Sequence, residues 1–196
     1  AIIDEKTRNE KIKNFFIKNK KLIISALTLL VLIVLFFYSY EIYKEGQREQ
    51  ISEKYNSATI EYKHGDKSKI ILSMKEVIEE KDSTYSPLAL YFLIDNKLLE
   101  NKNEINNLFD ILINSTPLED EIRNLIIYKK ALFNADKVDE NELLDLVKPL
   151  LNSKSVWRSH SLYLVAEYFY SKNEKQKAKE FFNKILITEN ANQDIK

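Results

Sequence analysis

The chain has 196 residues, with 30 Lys or Arg against 30 Asp or Glu, two Gly, three Pro and no Cys. The absence of Cys excludes disulfides, thiol chemistry and thiolate-ligated zinc, and balanced charge without a basic block beyond residue 21 argues against nucleic acid as a partner. So few turn-forming residues leave little material for sheets and predict an all-α protein.

Residues 1–21 carry seven basic side chains (Lys6, Arg8, Lys11, Lys13, Lys18, Lys20, Lys21) against Asp4, Glu5 and Glu10. Leu22 to Tyr40 then reads LIISALTLLVLIVLFFYSY, without a charge and with thirteen Leu, Ile, Val or Phe. As a helix this run spans roughly 28 Å, about the hydrocarbon thickness of a bilayer. Its apolar residues favour insertion by roughly 4 to 8 kcal/mol, and Ser25, Thr28 and Ser39 can bond back to helix carbonyls. A buried core helix would show a polar face, and a cleaved signal peptide would have a shorter apolar region ending in small residues. Here Glu41-Ile42-Tyr43-Lys44-Glu45 follows directly, so the run reads as an uncleaved transmembrane signal anchor. Residues 41–60 hold Lys44, Arg48 and Lys54 against Glu41, Glu45, Glu49 and Glu53. The positive-inside rule therefore puts the N-terminal segment in the cytoplasm and exports the bulk of the chain. Phe36, Phe37, Tyr38, Tyr40 and Tyr43 suit the exit interface, and Phe15 and Phe16 the headgroup region on the other side.

The glutamates at 41, 45, 49 and 53 recur every four residues and predict that the membrane helix runs on as a solvated linker over 41–54. Roughly 145 residues remain, enough for one domain with a real core. Start and stop signals divide them into eight helices in four hairpins, 47–64 with 67–81, 87–101 with 104–114, 117–134 with 140–152, and 156–171 with 174–188. Gly65-Asp66 is read as closing one helix and opening the next, Ser86-Pro87 as an N-cap followed by Pro at the first helical position. Thr116-Pro117-Leu118-Glu119 and Asn173-Glu174-Lys175-Gln176 read as capping boxes, and Pro149 should kink or end its helix. In the last hairpin Leu162, Val165, Ala166, Phe169, Ala178, Phe182 and Ile185 form a large-and-small pattern, echoed by Ala58, Tyr62, Ile70, Met74 and Val77 in the first. The two copies imply a repeat of about 36 residues, near the 34 of tetratricopeptide repeats. At that period Asn96 and Tyr128 occupy the small-residue place in the middle copies. The expected fold is a tetratricopeptide-like α-solenoid over 55–192, the rival being an irregular helical bundle.

No catalytic, cofactor-binding or metal-binding constellation is legible. The two histidines, His64 and His160, belong to no H-E-x-x-H, and neither glycine belongs to a phosphate-cradling loop. Ser159-His160-Ser161 cannot form a triad, because adjacent helical residues point about 100° apart. Carboxylate pairs such as Glu79-Glu80 and Asp139-Glu140 sit at helix ends, where solvation and the helix dipole explain them. The candidate binding feature is aromatic. Tyr55 and Tyr62 in the first hairpin and Tyr163 and Tyr170 in the last are each seven apart on one face of a first helix, the face that lines the concave groove of a solenoid. Tyrosine offers large contact area with a polar tip, and His160 and Glu167 would flank the same groove. The alternative is that these rings pack between repeats, as Trp157 is expected to do between the third and fourth.

The order of these parts resembles the YfgM-like proteins. The likeness rests on Ile3-Asp4-Glu5-Lys6-Thr7-Arg8-Asn9-Glu10, on Lys13-Asn14-Phe15-Phe16 and Lys18-Asn19-Lys20-Lys21 leading into the span, and on Val156-Trp157, Ala166-Glu167 and Ser171-Lys172-Asn173-Glu174-Lys175-Gln176-Lys177-Ala178 near the end. Lys20 and Asn173 stand where that family often has Gly. The resemblance implies a single-span protein of the bacterial inner membrane, cytoplasmic over 1–21, spanning over 22–40 and periplasmic beyond. It also implies association with the SecYEG translocon, and handover of secretory chains to periplasmic chaperones. A regulatory module, an envelope-assembly scaffold without a translocon role, and an enzyme are the other classes weighed.

Overall fold

The computed structural model describes residues 2–188. These are all-helical, with nine helices and no strand among them, and the chain divides into two compact units between Gln50 and Ile51.

In the first unit α1 (Ile2–Lys18) precedes α2 (Lys20–Glu61) with only Asn19 between them. Asn19 donates to the Phe15 carbonyl twice, from its backbone N–H at 3.0 Å and from Nδ2 at 2.9 Å. The segment 1–21, read only as a basic tail, is thus largely helical. Leu22 to Tyr40 lies wholly within α2, the one described helix long and apolar enough to cross a membrane, and none of its apolar window is buried in the structure. A core helix would be covered by protein, so this observation favours single-pass anchoring over the core-helix alternative. Thr28 Oγ1 donates to the Ile24 carbonyl at 2.9 Å, the expected way for a hydroxyl to sit in an apolar helix. The continuation beyond Tyr40 is also observed, since α2 runs unbroken to Glu61.

The second unit packs the end of α2 with α3 (Lys67–Glu79), α4 (Tyr85–Asp95), α5 (Lys102–Ser115), α6 (Asp120–Asn134), α7 (Glu140–Leu151), α8 (Trp157–Ser171) and α9 (Lys175–Leu186). The expected eight helices are all present here, but several ends differ for local reasons. The turn at Gly65-Asp66 is as expected: Gly65 N–H donates to Glu61 O, and the Asp66 carboxylate accepts from Ser68 N at 2.9 Å. A Cβ at Gly65 would lie 2.8 Å from Glu61 O, so close approach demands glycine there. Helix α4 begins two residues before Pro87. Its first amides are held by the Asp82 carboxylate, which accepts from Thr84 N and Tyr85 N at 2.8 Å. Ser86 is therefore no cap; it is fully buried and donates to the Val77 carbonyl at 2.7 Å, tying α4 to the end of α3.

Helix α4 also stops six residues early. Lys97 adopts φ 52°, and Leu98 N–H reaches back to Leu93 O at 2.9 Å while Lys97 N–H reaches Ile94 O at 3.0 Å, the Schellman arrangement. Asn173 repeats it at the end of α8 with φ 63°, donating to Tyr170 O while Glu174 N–H donates to Phe169 O. Asn173 is thus the stop of α8, and the capping box read there is absent. The box at Thr116 is absent too. Thr116 is buried behind the end of α5, its hydroxyl donating to Ile111 O at 3.2 Å, and α6 starts only at Asp120. The one reciprocal box observed is Asp139 with Glu142 at the start of α7. Pro149 lies inside that helix, which ends two residues later.

Two hydrophobic clusters fill the second unit. The first joins Ala58 of α2 to Ile70, Met74 and Val77 of α3, Leu90 and Leu93 of α4, and Phe109 and Leu112 of α5. The second joins Leu143 and Val147 of α7 to Val165 and Phe169 of α8 and Ala178 of α9. Helix α6 serves both, Ile126 facing the first cluster and Ala131 the second. Five residues apart on a helix is a rotation of about 140°, enough to present two faces. The expected repeat residues are mostly core, with Ala58, Ala166 and Ala178 buried where helices meet. In the middle copies the fixed period misplaces the small residue. Asn96 is the C-cap of α4, Tyr128 is half-buried, and the fully buried alanines are Ala89 and Ala131.

Candidate protein-binding face

Helices α4 and α6 do not close on each other along their whole length. Between them lies a cleft of about 540 Å³, walled by Ser83, Thr84, Pro87, Leu88 and Tyr91 on one side and by Pro117, Glu119, Ile122 and Leu125 on the other. The wall is mainly apolar, and Leu88 and Ile122 remain about 40 % exposed (41 % and 40 %). Two prolines line it: Pro87 belongs to the first turn of α4, where its missing N–H costs nothing, and Pro117 is the centre of a tight turn in which Leu118 N–H donates to the Thr116 carbonyl at 2.8 Å.

Tyr91 belongs to the wall of this cleft. Its hydroxyl is buried and has no hydrogen-bond partner among the described residues, and Lys129 of α6 sits 5.5 Å above its ring centroid. Burial pushes the phenol up to about 12, with the charge of Asp95 adding to the effect. The group therefore stays an O–H at neutral pH, and its donor and lone pairs have no partner among the described residues.

Further along α6, Tyr128 stacks on Trp157 of α8 at 5.7 Å and 21°, and His160 packs edge-on against Tyr128 at 5.8 Å and tilted against Trp157 at 5.0 Å. This cluster fixes α8 on α6, the packing role expected of Trp157. The loop before it is pinned by buried Ser155, which accepts from Trp157 N at 3.1 Å and donates to the Glu121 carboxylate of α6 at 2.7 Å.

The tyrosines singled out in the sequence fall in two different environments. Tyr55 packs on Tyr85 at 5.7 Å and Tyr62 on Phe92 at 5.2 Å, so this pair fills the contact between α2 and α4, and burial raises the Tyr55 phenol above its ordinary value. Tyr163 rests on Phe182 of α9 at 5.8 Å and is 39 % exposed, while Tyr170 is 59 % exposed. His160 belongs to the aromatic cluster, and Glu167 is exposed. The two pairs match in spacing but not in surroundings. The residues the sequence missed are Leu88, Tyr91, Ile122 and Leu125. Their spacing of three within each helix is that of any helix face, and only the neighbouring wall distinguishes them from core.

A second, polar cavity of about 650 Å³ lies among α5, α6 and α7. Asn106 and Asn134 exchange side-chain amide bonds there at 3.1 and 2.8 Å, and Lys130 is held by Asp110 at 2.7 Å. No group of three or more His, Cys, Asp or Glu among the described residues is placed to hold a metal ion. Comparison with protein-family models found no match, and neither curated proteins nor solved structures gave a significant one.

Proposed function

We propose that the chain is a membrane-anchored protein-binding scaffold whose second unit is a tetratricopeptide-like solenoid. Support for the solenoid comes from the packing order. Neighbours pair in sequence from α3 through α9, and next-but-one contacts join α3 to α5 and α6 to α8. Stacked hairpins bury in this way faces that one hairpin cannot. The observation that carries the binding role is the α4–α6 cleft, whose mainly apolar walls leave Leu88 and Ile122 exposed. An apolar segment of another polypeptide fits it, with its side chains between Leu88 and Ile122.

The charge asymmetry around Leu22 to Tyr40 favours a cytoplasmic N-terminal segment and an exported second unit. With the resemblance to YfgM-like proteins, the setting is the bacterial inner membrane and periplasm. The partners are then the SecYEG translocon together with secretory chains or periplasmic chaperones. A photoreactive amino acid at Leu88 or Ile122, in native membranes, tests this. Adducts with translocon subunits or secretory chains at these sites, and none at exposed Leu72 of α3, are expected. Adducts only with outer-membrane assembly factors would support an envelope scaffold instead. Adducts confined to Tyr163 and Tyr170 would move the binding face to the exposed tyrosines.

A further inference from the structure

Helix α1 carries a face that the scaffold role leaves unused. Ile12, Phe15 and Phe16 are 49, 61 and 55 % exposed, and the two phenyl rings meet edge to face at 6.1 Å. At about 100° per residue these three side chains share an arc of roughly 100°. Lys11 and Lys18 run along one edge of that arc and Lys13 along the other, and Asn14 lies on the far side. An apolar stripe bordered by lysines is the pattern of a helix lying in a membrane interface, with the rings in the acyl boundary and the ammonium groups reaching back to the headgroups. The stripe ends only a few residues before the uncharged run that starts at Leu22. Between them Asn19 places its side-chain amide on the Phe15 carbonyl, the acceptor that its own backbone N–H uses. The helix is interrupted at this one residue, where the shared carbonyl marks the place at which α1 can turn away from α2.

Given anchoring by Leu22 to Tyr40, we infer that α1 is an in-plane anchor. It bends at Asn19 and lies on an anionic lipid surface, its apolar stripe immersed and Lys11, Lys13 and Lys18 on lipid phosphates. The occupant is lipid and not a protein because the stripe is narrow and bordered on both edges by cations, whereas the segment's net charge of seven basic against three acidic side chains suits a negative surface.

The chain has no Cys, so single cysteines take a nitroxide label without background. The full chain is labelled in turn at Ile12→Cys, Phe16→Cys, Asn14→Cys and Val31→Cys. It is then reconstituted in vesicles of phosphatidylcholine alone or with about one-third phosphatidylglycerol, and collisions with oxygen and with a water-soluble nickel chelate are measured. The Val31 label, shielded from nickel throughout, reports that the span is inserted. In anionic vesicles the labels at 12 and 16 should favour oxygen and the label at 14 nickel. Replacing Lys11, Lys13 and Lys18 by Gln should reduce the immersed fraction, each lysine being worth about fivefold in partition at low salt. Equal nickel access at 12, 14 and 16 would overturn the inference. Immersion that ignores both phosphatidylglycerol and the lysines, or that requires native membrane proteins, would overturn the anionic-lipid assignment.

Discussion

Replacing Tyr91 by Phe removes one oxygen and should make the second unit more stable. The hydroxyl is buried without a partner, and an unsatisfied buried donor costs about 1–3 kcal/mol. The residue borders an open cleft, where small shifts relieve part of that cost, which places the gain at the lower end, about 1 kcal/mol, or about 2–4 °C in Tm for a domain of this size. The ring itself stays, and with it the contact to Lys129. Alkaline pH supplies a second reading. The folded phenol ionises near 12 and the unfolded one near 10, so from pH 10 upward the unfolded chain releases a proton that the folded chain retains. Stability therefore falls as pH rises from about 10 to about 12. The variant should lose less over that interval, though not nothing, because burial also raises Tyr55, Tyr128 and Tyr168. Urea unfolding of the full chain in micelles, followed by the fluorescence of Trp157, isolates the second unit, since Trp157 is the sole tryptophan. A variant less stable by 1 kcal/mol or more would refute the reasoning, because it would mean that the hydroxyl is satisfied in the folded protein.

Phe169→Ala should cost about 3–5 kcal/mol, because the ring is 1 % exposed and stacks on Phe181 at 5.6 Å. A shift in the urea midpoint worth under 1 kcal/mol would show that the α8–α9 core is misplaced. Glycine at two of the three left-handed helix stops should stabilise, by about 1 kcal/mol for Lys97→Gly and by less for Asn173→Gly, since Asn tolerates this backbone better than Lys. Thermal unfolding of both variants gives the order, and destabilisation of Lys97→Gly would deny the positive φ at that residue.

The helix ends show where local reading succeeds. Gly65-Asp66 was legible because glycine and a capping carboxylate act on their immediate neighbours. Ser86-Pro87 misled because the same residue types serve a buried tie, Ser86 to the Val77 carbonyl, that no local pattern distinguishes from a cap. The stop at Lys97 was invisible, since a lysine ordinarily avoids φ 52° and is held there only by the packing of α4 and the loop that follows. Likewise a fixed repeat period put Asn96 and Tyr128 in the small-residue place, whereas unequal connections moved that role to Ala89 and Ala131. For the candidate site, spacing alone paired Tyr55 and Tyr62 with Tyr163 and Tyr170, and burial then separated them.

Composition and local pattern were enough for an all-helical chain, for an uncharged run of bilayer length, for the charge difference across it and for the stripes that became the core. These properties are sums over residues or depend on neighbours three and four positions away, so they survive without knowledge of the fold. Which apolar faces meet, how α6 is shared between two clusters, and that α4 and α6 leave a cleft beside Tyr91 depend on the placement of residues far apart in the chain, such as Leu88 and Ile122 on facing walls of that cleft. Exposure is a property of the neighbour and not of the residue, and the neighbour is chosen only when the helices pack.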